Sequence, residues 1–290
     1  MATQRELRVL VATDGSRDAQ TAIATTFRFP WPDRTRVRAV SARRTRAEYR
    51  RSILLTALDR GAEQAVESAR RTLSRRWPDV ESEVVDKSPV EGILGEAERL
   101  RADVVVVGWR GHGVARRLLM GSVSRGVVRG ATSAVLVVRR SQRVRKIVVG
   151  VDGSPTSKRA LALIGRLAAP RDGHVILVSG VELMSTPSRG RVPGAAAIAR
   201  EIRRANTMRS RTATKELNRA AAELKRSGWH TRTVLVHGEP LRELLGAVAA
   251  TRAQMLVVGA RGTSGLRHLL LGSVAEGALN RCPVTVLVAR

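Results

Sequence analysis

Asp103-Val-Val-Val-Val-Gly-Trp-Arg-Gly-His-Gly113, read on through Leu118-Leu-Met-Gly-Ser122, is the stretch that decides the fold. Val104 to Val107 are four β-branched residues in a row without polar alternation, the pattern of a parallel strand covered on both faces. The run ends in Gly108, Gly111 and Gly113, and Gly121-Ser122 then opens another apolar segment. The same text returns at Met255-Leu-Val-Val-Gly-Ala-Arg-Gly262, with Leu269-Leu-Leu-Gly-Ser273 downstream. Both copies read glycine, two residues, glycine, nine residues, Gly-Ser. A valine-rich strand precedes each.

Working outward, the rest of the chain repeats with it. Residues Arg8 to Thr13 form a short apolar strand ending in Asp14-Gly15-Ser16, and Lys146 to Val151 repeat it before Asp152-Gly153-Ser154-Pro155. Ser154 is placed to cap a helix whose first residue is Pro155, since proline lacks only an amide that would be orphaned there. Strands follow at 37–40 and 175–178, helices at about 47–76 and 198–226, and third strands near 83–85 and 233–236. Ser88-Pro-Val-Glu91 has a cap, a proline and a capping-box glutamate in order; the second copy keeps only Pro240. After each glycine motif come a helix (122–129, 273–279) and a last strand (135–138, 284–288). Asp14 to Gly108 spans 94 positions and Asp152 to Gly259 spans 107. The 13 extra residues fall after the second repeat's second strand, where 184–194 reads as an inserted irregular loop.

Alternating strands and helices predict an α/β fold of two tandem Rossmann-like domains, 1–140 and 144–290, joined by a linker over 139–146. Each is expected to be a five-stranded parallel sheet in the order 3-2-1-4-5, with helices on both faces. Ligands of such sheets bind outside the carboxyl ends of the strands, where the order reverses. That point lies between strands 1 and 4, so Asp14 meets Gly108 there, and Asp152 meets Gly259. The combination points to a nucleotide.

Composition bounds the rest. The 290 residues suit two domains of ordinary size, and with only seven aromatics the cores must be built from Val, Leu, Ile and Ala. No apolar run reaches the ~18 residues that span a bilayer, and the first residues show no apolar signal region, so a cytoplasmic protein without a membrane partner is expected. A single cysteine, Cys282, excludes a disulfide framework and a cysteine-rich metal site and is expected to be a buried thiol. Residues 1–145 hold 29 Lys and Arg against 16 Asp and Glu, and residues 146–290 hold 23 against 9, so the net charge of +27 is no basic tail. Such a charge attracts polyanions without sequence preference, although a coding bias toward arginine would also produce it.

The motifs carry a definite chemistry. Gly108 and Gly111 let backbone approach a ligand closely, and Gly121-Ser122 sits at a helix N-terminus where free amides favour phosphate. Asp14 and Asp152 are candidates for a base, a ribose or a phosphate-bound metal, and Arg110 and Arg261 for neutralising phosphate. His112 lies in the first loop, but Thr263 replaces it in the second. There is no Gly-x4-Gly-Lys-Ser/Thr loop, and no dinucleotide fingerprint follows the first strand. No residue set offers a general base, and no metal ligands are assigned to the protein.

With these motifs in both halves the chain resembles a tandem universal stress protein, carrying the Gly-x2-Gly-x9-Gly-Ser/Thr signature of that family's ATP-binding branch. The resemblance implies Asp14 and Asp152 beside adenine, with backbone near Ala42 and Gly180 against the base and Gly108 and Gly259 facing the ribose. It implies that Gly111, Gly121, Ser122 and Val123 cradle phosphates, as do Gly262, Gly272, Ser273 and Val274. It further implies ATP with Mg²⁺, and pairing through last strands, which a tandem chain makes internally as a pseudo-dimer, with a homodimer of such units also open. Departures are Ala131-Thr132 against Cys282-Pro283 and Asp103 against Gln254. The function expected is ATP-dependent regulation of a stress response. A nucleic-acid or other polyanion binder with secondary ATP sites, and a slow ATPase, are the alternatives.

Overall fold

The computed structural model describes residues 5–43, 53–111, 120–185, 195–262 and 271–290, and over 53–60 the backbone alone. The expected positions 1–4, 47–52, His112, Gly113, Leu118, Leu119, 186–194, Thr263, Leu269 and Leu270 lie outside the described residues.

The first half runs β1 (Leu7–Ala12), α1 (Arg17–Arg28), β2 (Thr35–Arg43), α2 (Ile53–Leu73), β3 (Glu81–Asp86), α3 (Pro89–Leu100), β4 (Val104–Gly108), α4 (Ser122–Gly130) and β5 (Ala134–Val138). The second runs β6 (Lys146–Gly150), α5 (Pro155–Arg166), β7 (His174–Val181), α6 (Ala195–Arg226), β8 (His230–His237), α7 (Pro240–Thr251), β9 (Met255–Gly259), α8 (Ser273–Arg281) and β10 (Thr285–Ala289). The expected order is found twice, as β3-β2-β1-β4-β5 and β8-β7-β6-β9-β10. Pairing within each half is parallel throughout.

The two sheets are one. β5 pairs antiparallel with β10, Val135 opposite Val288, Leu136 opposite Leu287 and Val137 opposite Val286, giving ten continuous strands. The antiparallel seam makes the strands of the two halves run in opposite directions. Their carboxyl ends therefore open at opposite ends of the sheet.

Consecutive valines feed both faces because successive strand side chains point opposite ways. Val104 and Val106 join one core with residues of α1, α2, α5 and α6, while Val105 and Val107 join the other with α3, α4, α7 and α8. Each core layer runs unbroken across the seam. The 139–146 stretch is correspondingly more than a tether: Val144 is buried, and Arg139 belongs to the interface.

Helix starts follow local chemistry with two departures. Ser16 and Ser154 accept from the amides of Ala19 and Ser157, as the cap pattern requires. Ser88 does not complete a capping box; its hydroxyl donates to Glu91 at 2.7 Å, which takes the oxygen away from the backbone. The start of α7 is better capped than Pro240 alone suggests, since the Glu239 carboxylate accepts from the Leu241 and Arg242 amides. Among the described residues α6 runs for 32 residues and α2 for 21, and the expected inserted loop at 184–194 lies outside them from 186 onward. Among the described residues no helix is long and apolar enough to cross a membrane.

Candidate functional site

Each half brings its first-strand turn and its fourth-strand loop together at the order reversal. Asp14 follows β1 and is held by an Asx turn, its Oδ1 accepting the Ser16 amide at 3.0 Å; Asp152 does the same with Ser154. Facing them are the loops leaving β4 and β9. A Cβ at Gly111 would fall well inside 3.0 Å of Asp14 Oδ2, and one at Gly262 would lie 3.1 Å from Asp152 Oδ2. The loop backbone thus runs directly against the carboxylate, which is why this position carries no side chain.

The loops then close on the next helix. The Gly121 amide donates to Trp109 O at 2.9 Å, and the Gly272 amide donates to Ala260 O at 2.7 Å. This seats the N-termini of α4 and α8 beside Gly111 and Gly262. Neither helix has a side-chain cap, whereas α1, α5 and α7 all do. The first amides of an uncapped helix point outward with the positive end of the dipole behind them. Ser122 and Ser273 are exposed there, with Val123 and Val274 half-buried behind them.

The structure therefore gathers Asp14, Arg110, Gly111, Gly121, Ser122 and Val123 in one crevice and Asp152, Arg261, Gly262, Gly272, Ser273 and Val274 in the other. Gly108 and Gly259 end their strands against helix backbone: a Cβ at Gly108 would lie 2.7 Å from the Asp18 carbonyl carbon, and one at Gly259 3.0 Å from the Ser157 amide. Packing by itself already requires glycine at both positions. Ala42 lies near the end of β2 against Gly92, and Gly180 in β7 lies against Pro240, each one strand away from its aspartate turn.

The crevices differ in how their loops are held. In the first, the Arg110 guanidinium lies 4.0 Å from the Trp109 ring centre and Arg139 lies 3.7 Å from it. Trp109 Nε1 donates to Leu279 O at 3.4 Å, and Arg139 donates to Leu279 O at 2.8 Å and Asn280 O at 3.1 Å. The first loop is thereby tied to the C-terminal end of α8, whose N-terminus belongs to the second crevice. Burial lowers Arg139 to about 10, so it stays charged at neutral pH. Arg290 makes the reciprocal hydrogen bonds to Val128 O and Arg129 O of α4, but Ala260 stands where Trp109 does. The second loop is pinned instead by hydroxyls: Thr156 and Ser154 both donate to Arg261 O, Ser154 at 3.2 Å, and Thr156 also accepts the Arg261 amide at 3.3 Å.

Sequence reasoning missed Trp109, Arg139, Arg290 and Thr156. The matched positions of Arg139 and Arg290, each directly after a last strand, were the available signal. The Asp103 and Gln254 difference proves conservative in function, since Asp103 Oδ2 accepts the Arg8 amide and Gln254 Oε1 the Lys146 amide, both at 2.8 Å. Cys282 is buried, and burial pushes its thiol up.

The model of the universal stress protein family matches residues 7–139 and again 143–290. The chain belongs to the universal stress protein family, in tandem form. Among its relatives, the universal stress protein Rv2005c of Mycobacterium tuberculosis is 33% identical, aligned over 73% of this chain and 69% of that protein. The universal stress protein Rv1996 of the same species is 27% identical across 100% of this chain and 96% of its own length. The crystal structure of a universal stress protein from Archaeoglobus fulgidus shares the fold, with a TM-score of 0.67 at 18% identity and 98% of each chain covered.

Proposed function

We propose that this universal stress protein is a cytoplasmic regulator in a stress response that binds ATP at one site in each half, 1–140 and 144–290, and signals through nucleotide-dependent conformation. The observation that carries this is the repeated crevice in which an uncapped helix N-terminus meets a loop glycine and a fixed carboxylate. Phosphates fit the free amides of Ser122, Val123, Ser273 and Val274. Arg110 and Arg261 stand beside them, and Asp14 and Asp152 take a donor of the ribose or base, whose plane lies toward Ala42 and Gly180.

Among the described residues no group of three or more His, Cys, Asp or Glu could hold a metal. One carboxylate per crevice suits Mg²⁺ carried in on phosphates and water, a common state for that ion. The magnesium would neutralise phosphate charge, while the chain itself orients the nucleotide and shields it. Binding is assigned here, and no residue is assigned to catalysis.

The test is mass spectrometry of the nucleotide released on denaturing freshly purified protein, followed by calorimetry with Mg-ATP. About two ATP per chain are expected, falling to about one in Gly111→Leu or Gly262→Leu and to none in the double variant. Unchanged binding in the double variant would sink the assignment.

A further inference from the structure

We propose that the solvent face of α6 is a docking surface for double-stranded nucleic acid, held through its phosphates without regard to sequence. The helix carries nine basic and three acidic residues, a net +6, whereas the counterpart segment of the first half, 47–76, carries seven basic and four acidic, a net +3. A general bias toward arginine would load both segments alike. The excess on α6 is local.

Its placement is equally specific. Leu217, Ala220, Ala221 and Leu224 are buried against the sheet. At 3.6 residues per turn, Arg200, Arg204, Arg211, Lys215, Arg219 and Arg226 fall within a sector of roughly 100° on the opposite side. All six are exposed. Arg204 pairs with Glu201 and Arg219 with Glu223, both on the surface and weakly held, while the other four make no ion pair among the described residues. From Arg200 to Arg226 the stripe runs 26 residue steps, or roughly 39 Å along the axis at 1.5 Å per residue.

The N-terminal part of α6, 195–216, contributes no buried residue, so it projects past the core. It is nevertheless fixed. The Asn206 amide donates to Met184 O and accepts the Met184 amide, both at 3.0 Å, and Arg209 donates to Glu182 O at 3.2 Å.

A rigid straight row of arginine forks matches a stiff polymer of evenly spaced phosphates. Single strands are gripped by stacking on aromatic rings, and α6 has no aromatic residue. A helix lying on a lipid surface needs a continuous apolar face toward the bilayer; over 217–224 that face of α6 is spent on the sheet, and along 195–216 the exposed large apolar side chains are Ile198 and Met208, roughly 80° apart around the helix and too few to make such a face.

The experiment is fluorescence anisotropy of the full chain with labelled 20-base-pair DNA duplexes of two unrelated sequences, across a salt series. Both duplexes are expected to bind alike, with log affinity falling linearly in log salt. Replacing Arg200, Arg204, Arg211, Lys215 and Arg226 by Gln should weaken low-salt binding at least about tenfold and flatten the salt slope by about one for each phosphate left unneutralised. A control replaces five exposed arginines elsewhere, Arg34, Arg71, Arg75, Arg143 and Arg171, by Gln; it changes the net charge equally and should cost less than about threefold. Circular dichroism should show both variants with unchanged helix content. Equal weakening in the two variants would assign the effect to the field of the whole chain and overturn the proposal. So would no duplex binding by the parent chain at low salt, or binding of anionic-lipid vesicles through the stripe with the duplex unaffected.

Discussion

Glu96 is a buried carboxylate clasped by two arginines: Arg99 reaches it at 2.8 and 2.9 Å, and Arg38 at 3.2 Å. Burial alone pushes Glu96 up, but the hydrogen bonds from Arg99 and Arg38 outweigh it and hold the group below its ordinary 4.5. A depressed carboxylate contributes stability that is complete above the ordinary value and is lost as pH falls through the folded one. Glu96→Gln should therefore cost about 2 kcal/mol at pH 7, and urea midpoints measured from pH 6 to pH 3 should fall less steeply in the variant than in the parent. The glycines offer a second residue-scale contrast. Gly108→Ala drives a methyl into rigid helix backbone and should cost about 1–3 kcal/mol of stability. A Cβ at Gly111 meets the end of one side chain instead, the Asp14 carboxylate, which can yield by loosening its turn without disturbing a helix. Gly111→Ala should leave the urea midpoint nearly unchanged while weakening nucleotide binding at the first site, and a large midpoint shift would show that this glycine too serves packing.

Two helices end on strained residues. Arg101 after α3 and Arg252 after α7 adopt left-handed backbone, with φ of 50° and 54°, each giving its amide to the last turn. Only glycine takes that conformation without a penalty. Arg101→Gly and Arg252→Gly should each raise stability by roughly 0.5–1 kcal/mol, read as a higher thermal midpoint in calorimetry; a lower midpoint in both would mean that the arginine side chains hold something. Element identity was legible in the chain because periodicity is local. Val104 to Val107 announce a strand buried on both faces, and Ser154-Pro155 announces a helix start. The Ser88 cap failed because a side-chain partner, Glu91, competed for its hydroxyl, a choice that spacing cannot settle. The Glu239 cap escapes a reading of the sequence because glutamate is an uncommon cap.

The scale of the whole molecule is set by the seam. Arg139 and Arg290 each carry a charge across it to carbonyls 140 and 162 residues away, and Arg166 of α5 pairs with Asp103 of the first half at 2.9 Å. Arg139→Ala takes a charged donor from Leu279 O and Asn280 O and one of two cations from the Trp109 ring, and should cost about 2 kcal/mol. Because both core layers pass through the seam, urea unfolding followed by tryptophan fluorescence and by circular dichroism should give one coincident transition; two separate ones would mean that the halves melt independently. These interactions were illegible in the sequence for a physical reason. A guanidinium meeting the end of a helix needs only carbonyls, which every residue supplies, so no pattern marks the partner. The strand order was legible because alternation of strand and helix leaves few topologies, and the crevice was legible because the glycine spacing occurs twice. The loop holding Arg110 differs from the loop holding Arg261 through Trp109 on one side and Thr156 on the other. When identical subunits pair, any substitution is copied into both sites at once. Here a single reading frame encodes the pair, so each pocket drifts under its own selection, and the covalent join turns a symmetric assembly into one whose two halves are free to specialise.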